Sequence, residues 1–350
     1  MGRAYSVQRI AYSVIVVLAV SLFIFSSVSF AKDEGATIQS IVAKNIELLK
    51  DNRYEHDATV TLISLKESAV PLLVESAKNP AEKVSQRLNV TNILGDIKNA
   101  GATECLLDTL KDSNAKVRRA SAKALGKISD KKAVEGLKGA LSDFDAETRF
   151  LAARSLRQIN DPSLGDTFIK LLDDADLRIK ILAIQGVGDI KETKAVEKLS
   201  AMAGDFNDDV RINLAIALGK IGAKSGTTAL NTLLEDTNIR VRSEALKALG
   251  SIGDPSSIPY LAKIAERDEK ILRCAATTAL GDIGTNEAIP TLKNLLRDEA
   301  IDVRLVAIKA LTKIGRPEFI EDFKTLLNDE SMKVRREANW AIATLRGKNQ

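Results

Sequence analysis

The chain has 350 residues, 28% charged and 45% apolar, with a formal net charge of +4; this balance excludes a disordered chain and a multi-span membrane protein, and it gives no general argument for nucleic acid. One histidine, His56, and two cysteines, Cys105 and Cys274, exclude a zinc site of the usual four Cys/His ligands and a multi-bridge disulfide framework. Only 4% of residues are aromatic, and Tyr5, Tyr12, Phe23, Phe25 and Phe30 crowd the first thirty, so the core of the remainder is expected to consist of Ala, Leu, Ile and Val.

The first element, residues 1–31, reads as a targeting segment. Arg3 and Arg9 precede an uncharged run from Ile10 to Phe30 that ends in Ser29-Phe30-Ala31, before Lys32-Asp33-Glu34. That is a basic region, an apolar region and small residues at a cleavage site. The spacing predicts a signal peptide cleaved after Ala31, leaving a net charge of +2. The run also approaches the roughly 20 apolar residues that span a bilayer, so an uncleaved membrane anchor is the alternative. The remainder is accordingly expected in the periplasm or secreted, or else outside the cytoplasm on an inner-membrane anchor, the one case in which the membrane is a partner. No cysteine stands near the cleavage point to carry a lipid.

Residues 32–81 are helical by pattern (Ile38, Ile41, Ile46, Leu48, Leu49, then Val70, Leu72, Leu73) but fit poorly to the repeat of the later residues. They read as a degenerate N-terminal capping unit. From residue 82 to 350 the chain repeats about nine times every 31 residues. One column is basic: Arg87, Arg118, Arg149, Lys180, Arg211, Arg242, Arg273, Arg304 and Arg335. Seven positions later stands a second column: Leu94, Leu125, Leu156, Val187, Leu218, Leu249, Leu280, Leu311 and Ile342. Ten positions after the base stands Ile or Leu throughout, from Ile97 to Leu345. A further column is acidic (Asp112, Asp143, Asp174, Asp205, Asp236, Asp298, Asp329), broken at Arg267. Apolar spacings of three and four, as in Val241, Ala245, Ala248, Leu249 and Ile252, mark an amphipathic helix. A second stripe (Ile258, Leu261, Ile264, Ala265) comes after the turn Gly253-Asp254-Pro255-Ser256, which combines a helix stop, an N-cap and a first-turn proline. Each repeat is therefore a helix pair, too small to bury its apolar faces alone, and the pairs must stack.

The segments Val241 to Gly253 and Leu272 to Gly284 carry the pattern Val-Arg-x-x-Ala-x-x-Ala-Leu-Gly-x-Ile-Gly almost whole. This resembles the HEAT repeat, and more narrowly the short HEAT-like variety of bacterial proteins and phycobilisome lyase subunits. The resemblance covers about residues 82–347. It implies an all-α, right-handed α-solenoid (an α-α superhelix) and little about function. It also implies a ladder of hydrogen bonds along the spine, carried by Asp112 and Arg118, Asp143 and Arg149, Asp205 and Arg211, Asp236 and Arg242, Asp298 and Arg304, and Asp329 and Arg335. In each pair the acid precedes the base by six residues, so the bases are expected to be neutralised locally rather than to line a track for phosphates.

The second helices of such arrays normally line the concave face. Five positions after the column base they carry Lys123, Arg154, Gln185, Ile216, Lys247, Thr278, Lys309 and Trp340, and nine positions after it Lys127, Gln158, Asp189, Lys220, Ser251, Asp282, Lys313 and Thr344. Seven of these sixteen are Lys or Arg and two are Asp, which describes a mildly basic groove suited to acidic protein segments, or a plainly solvated face. Lys123, Arg154, Lys247, Lys309 and Trp340 are the candidate partner-binding residues. Trp340 reads equally as a cap on the core or as an aromatic anchor. His56 reads as an exposed turn residue, without a nucleophile nearby in sequence. Cys105 and Cys274, separated by roughly 50 Å at the usual helix spacing, read as small filler residues. HEAT-like hydroxylases bind iron through His-Glu pairs, which this chain lacks, so that activity is excluded. The expected function is an exported, non-catalytic protein-binding scaffold or assembly factor without metal or cofactor. The alternatives are a phycobilin-lyase-like protein holding a small ligand, and nucleic-acid binding through the basic columns.

Overall fold

A computed structural model describes residues 34–347, and all regular structure among them is helical. The proposed signal peptide or anchor, residues 1–31, lies outside the described residues. The chain forms two compact units, one extending to Gly136 and the other beginning at Leu137.

In the first unit, α1 (Glu34–Leu48) packs on α2 (Glu55–Ser64), and α3 (Val70–Lys78) pairs with α4 (Val84–Ile97). A second pair, α5 (Thr103–Thr109) and α6 (Ala115–Ile128), stacks on α4 through α6. Helix pairs thus begin before residue 82, inside the segment whose sequence reads as a degenerate cap. Ala81 occupies the place of the recurring acid there, and the base Arg87 donates to the Glu82 carbonyl at 2.6 Å.

After α7 (Val134–Ala140), the second unit contains α8 (Ala146–Ile159), five pairs and a closing pair. These are α9 (Gly165–Leu171) with α10 (Leu177–Asp189), α11 (Val196–Ala201) with α12 (Asp208–Ile221), and α13 (Thr227–Leu233) with α14 (Ile239–Ile252). The last two are α15 (Ile258–Arg267) with α16 (Lys270–Ile283) and α17 (Ile289–Leu295) with α18 (Ile301–Ile314). A closing pair, α19 (Phe319–Thr325) and α20 (Met332–Gly347), ends the described chain. The long second helices α8, α10, α12, α14, α16, α18 and α20 stack on one another in order.

Local chemistry sets the boundaries. A side-chain oxygen caps each of several second helices: Asn114 accepts from the Lys116 N–H, Asp176 from Arg178 and Asn238 from Arg240. The residue ending most second helices is left-handed, with Gly222, Gly253, Gly284 and Gly315 at φ 73°, 72°, 65° and 83°. In earlier repeats Lys98, Ser129, Asn160 and Lys191 hold this conformation at φ 52–57° without being glycine. Neighbouring second helices meet through small residues: a Cβ added at Gly188 or Gly219 would lie 2.9 Å from the Cα of Ala217 or Ala248. The Leu/Val/Ile column seven positions after the base is buried throughout, whereas the column ten positions after it is half-buried at most places. Three aromatics nevertheless enter the core. Phe168, Phe319 and Phe323 are among the largest fully buried side chains, and Gly186 leaves the room that the Phe168 ring fills.

Candidate functional site

The recurring charges form the ladder, with a different pairing from the one that sequence spacing implies. At a spacing of six the base reaches the acid's backbone carbonyl. Nη1 of Arg118, Arg149, Arg211, Arg304 and Arg335 donates to the carbonyl of Asp112, Asp143, Asp205, Asp298 and Asp329 at 2.6–3.0 Å. The carboxylate belongs to the base one repeat earlier, 25 residues back: Arg87 to Asp112 at 2.8 Å, Arg211 to Asp236 at 2.6 Å, Arg273 to Asp298 at 3.0 Å and Arg304 to Asp329 at 2.9 Å. The acid's other function is local, since its Oδ1 accepts the N–H two residues on, as from Asn238 to Asp236 at 2.8 Å. One carboxylate therefore caps its own turn and clamps the preceding repeat. Burial pushes Asp112 and Asp236 up, but hydrogen bonds from Arg87 and Arg211 and from the turn N–H outweigh it and hold both below the ordinary value of 3.8.

The break at Arg267 changes the ladder in one place. Arg242, lacking an acid 25 residues on, lies 3.5 Å from the next residue, Asp268. An open cleft of about 400 Å³ lies there, lined by Arg242, Lys263, Arg267 and Asp268 among others. The pairing of Asp236 with Arg242 is thus replaced by Asp236 with Arg211 and Arg242 with Asp268.

The two exposed columns of the second helices separate by charge state. Nine positions after the column base the lysines are paired: Lys220 with Asp189 at 2.6 Å, Lys313 with Asp282 at 2.6 Å, and Lys127 with Asp96. Each acid stands one repeat earlier, and Asp189 also takes Arg157 at 2.8 Å. These exposed pairs lower the net charge of that column below what its lysines imply. Five positions after the base, Lys123 in the first unit and Arg154, Lys247 and Lys309 in the second are exposed. Lys247 holds Glu244 across one helical turn at 2.7 Å, an exposed contact of little energetic weight. Between them Gln185 donates to Asn213 and Thr278 to the Cys274 carbonyl. Trp340, at the same repeat position in α20, is 57% exposed and so does not seal the end of the core.

His56 is exposed in the first turn of α2. Cys105 is buried, its thiol pushed up to about 11 by burial and facing the Val74 carbonyl at 3.6 Å, which makes it a poor nucleophile. Burial also raises the half-buried Cys274. Among the described residues no group of His, Cys, Asp and Glu could hold a metal ion, and no helix is long and apolar enough to cross a membrane. Two side chains absent from the candidate set stand out: Phe144 and Phe206 are fully exposed in equivalent turns of the second unit. Their shared register is visible when the sequence is written in rows of 31.

Helix pairs recurring in register, joined by a charge ladder and packed through small residues, define a helical repeat solenoid. The family profile described as HEAT repeats matches residues 70–149, 134–209, 196–273 and 262–346, and the chain belongs to the HEAT-repeat family. No curated protein matches it. Among solved structures it is similar to an engineered protein from a structural genomics programme, at 20% identity and a TM-score of 0.58, covering 87% of this chain and 99% of that one. It is also similar to YibA of Escherichia coli, at 20% identity and a TM-score of 0.51, covering 75% and 97% of the two chains. Human deoxyhypusine hydroxylase with glycerol aligns at 19% identity and a TM-score of 0.34, over 72% of this chain and 97% of that one. The first two likenesses concern the fold alone.

Proposed function

We propose that this protein is an exported, non-catalytic scaffold or assembly factor that binds other proteins through its HEAT repeats. The observation that carries this reading is the exposed second-helix column of the second unit, where Arg154, Lys247, Lys309 and Trp340 project from equivalent positions. None of the four belongs to the ladder or the core, so the fold gives them no task, and exposed bases that share a column with an exposed tryptophan suit an acidic protein segment. Lys123 offers the same chemistry in the first unit. Export rests on Arg3, Arg9 and the uncharged run to Ala31, and intact mass from the native host should give a chain beginning at Lys32. The ladder bases are held within the fold by the acids of the following repeat, which argues against their lining a nucleic-acid track. Retention on heparin beyond about 0.3 M salt would contradict this. The binding face is tested by the K123E/R154E/K247E/K309E variant in affinity capture from the native envelope fraction. Loss of capture at unchanged helical signal and melting temperature supports the reading; unchanged capture refutes it.

A further inference from the structure

Among the described residues of the second unit ten large apolar side chains are exposed, and seven of them stand in one line. Phe144 and Phe206 are fully exposed, and Leu177, Ile239, Ile271, Ile301 and Met332 are 37–62% exposed. Each lies two, three or five positions before a column base. Every repeat from that of Arg149 to that of Arg335 contributes one, in the turn before its second helix or in the first helical turn. In the first unit the equivalent residues 82–85 and 113–116 include no exposed large apolar side chain. Apolar side chains scattered singly over a surface are ordinary, but a file of seven, one per repeat, is not scatter.

Because the second helices stack in order, these tips follow one edge at about 8–10 Å per repeat, over roughly 50–60 Å. They offer roughly 700 Å² of exposed side chain, within the roughly 600–1,000 Å² per partner of a standard stable interface. A partner helix, rising about 5.4 Å per turn, meets a ridge of that period only at intervals. A second copy of the edge has the same period and meets it throughout. The end of the array offers no rival surface for a second copy. Where α18 has the half-buried Leu305 and the buried Ile308, α20 exposes Arg336 and Asn339, a polar cap on the last described repeat.

Many of the charges beside the tips are held within the fold: Glu147 by Arg178 at 2.8 Å, Asp205 by Lys180 at 3.9 Å, Asp208 by Arg211 at 2.6 Å and Asp302 by Lys270 at 3.1 Å. Charge therefore does not select a foreign partner for this edge, but the charges left over set the direction in which two edges fit. Asp209 stands three residues after Phe206, Arg267 four before Ile271 and Lys333 directly after Met332, and none of these three side chains has an ion pair among the described residues. We propose that this edge of the second unit is the interface of an antiparallel homodimer, with its two-fold axis at Ile239, the middle tip of the seven. In that register Phe206 and Asp209 meet Ile271 and Arg267 of the second copy, Leu177 meets Ile301, and Phe144 meets Met332, with Lys333 near the acidic turn of Phe144. Parallel edges would set Asp209 against its own twin. The dimer edge is distinct from the second-helix column, so the inference goes beyond the scaffold reading and fails independently of it.

Sedimentation velocity of the protein as isolated from its host, over about 1–100 µM, should show a reversible monomer–dimer equilibrium that F144A/F206A/I271A/M332A weakens at least tenfold. The four side chains are exposed, and alanine already stands at equivalent positions in Ala175 and Ala146, so the helical signal serves as the fold control and should not change. Variant and unmodified protein have the same N-terminal segment, so association caused by that segment would persist in the variant. Copper-phenanthroline oxidation should join I239C to its twin. It should leave L177C unjoined, since four repeats separate that residue from its twin by roughly 32–40 Å in the antiparallel register. The unmodified protein, with Cys105 and Cys274, sets the background. A monomer throughout the range, a dimer that survives the four alanines, or L177C joined as readily as I239C overturns the proposal. Dissociation in about 0.5 M salt also overturns it, because an apolar edge does not come apart by screening. The K123E/R154E/K247E/K309E variant should dimerise as the unmodified protein does.

Discussion

Replacing Arg211 by alanine probes the ladder where it is best formed. Arg211 donates to the Asp236 carboxylate at 2.6 and 3.0 Å and to the Asp205 carbonyl at 2.6 Å, and the two side chains are only 11% and 7% exposed. Removing one member of a buried pair strands the other and costs about 3–5 kcal/mol. Asp236 keeps its bond from the Asn238 N–H, which places Arg211→Ala near the lower end, about 3 kcal/mol. Asp236→Ala loses the turn cap as well as the pair and should cost about as much. The double variant leaves no stranded charge, so its cost should fall short of the sum by about 1–3 kcal/mol. The comparison cycle is Arg242 with Asp236, the pair suggested by spacing alone. Arg242 makes its ion pair with Asp268 and acts on Asp236 only through its charge, so the coupling of these two should be clearly smaller than that of Arg211 with Asp236. Urea unfolding followed by far-ultraviolet circular dichroism measures both cycles. Coupling between Arg242 and Asp236 as large as that between Arg211 and Asp236 would refute the assignment of carboxylates to the preceding repeat.

Acid should release the same clamp. Asp236 is held below 3.8 in the folded chain, so its contribution is complete above that value and is lost as pH falls below it toward the folded-state value. Asp236→Asn should therefore lose less stability than the unmodified protein between about pH 4 and pH 2, measured by urea midpoints. Arg267→Asp restores the missing acid 25 residues after Arg242 and should be neutral or stabilise by up to about 1 kcal/mol in the same assay; clear destabilisation would show that Asp268 already serves Arg242 fully. Ser129→Gly and Lys98→Gly relieve left-handed residues at φ 56° and 57° and should each stabilise by about 1 kcal/mol. Gly219→Leu drives a side chain into the backbone of Ala248, 2.9 Å from where its Cβ would sit, and should destabilise by about 1–3 kcal/mol.

Much of the architecture is legible in the rows of 31 residues because a stacked repeat writes its core into fixed columns. The buried Leu/Val/Ile column follows from helical spacing alone, and so do the turns, with their Asp caps and first-turn prolines. Pairing across repeats is harder to read. Spacing along the chain makes Asp236 and Arg242 look like partners at six residues, whereas stacking brings Arg211, 25 residues earlier, to the carboxylate. The same blindness affects the surface count: Lys127, Lys220 and Lys313 add to a basic groove only until the acids one repeat earlier are seen to hold them. Phe168 enters a core expected to be aliphatic because Gly186, on the facing helix, gives up the volume that the ring needs. Neither residue signals the exchange by itself.

These pairings decide which charges remain for recognition. A charge fixed between two repeats has already spent its desolvation on the fold, and another molecule can use it only by breaking the bond it makes. The ladder arginines fall in that class; the lysines nine positions after them, 31–62% exposed in their pairs, do not. Arg154, Lys247 and Lys309 do not, for their side chains stand in solvent and their removal leaves no buried partner unpaired. Mutation should therefore separate the two classes cleanly. Ladder changes should move stability by kilocalories and alter binding only through unfolding, whereas changes in the exposed column should move binding within a stability window of about 0.5 kcal/mol. A quadruple reversal that lowered the melting temperature as much as Arg211→Ala would mean that the column carries structure after all, and its claim to a partner would fall with it.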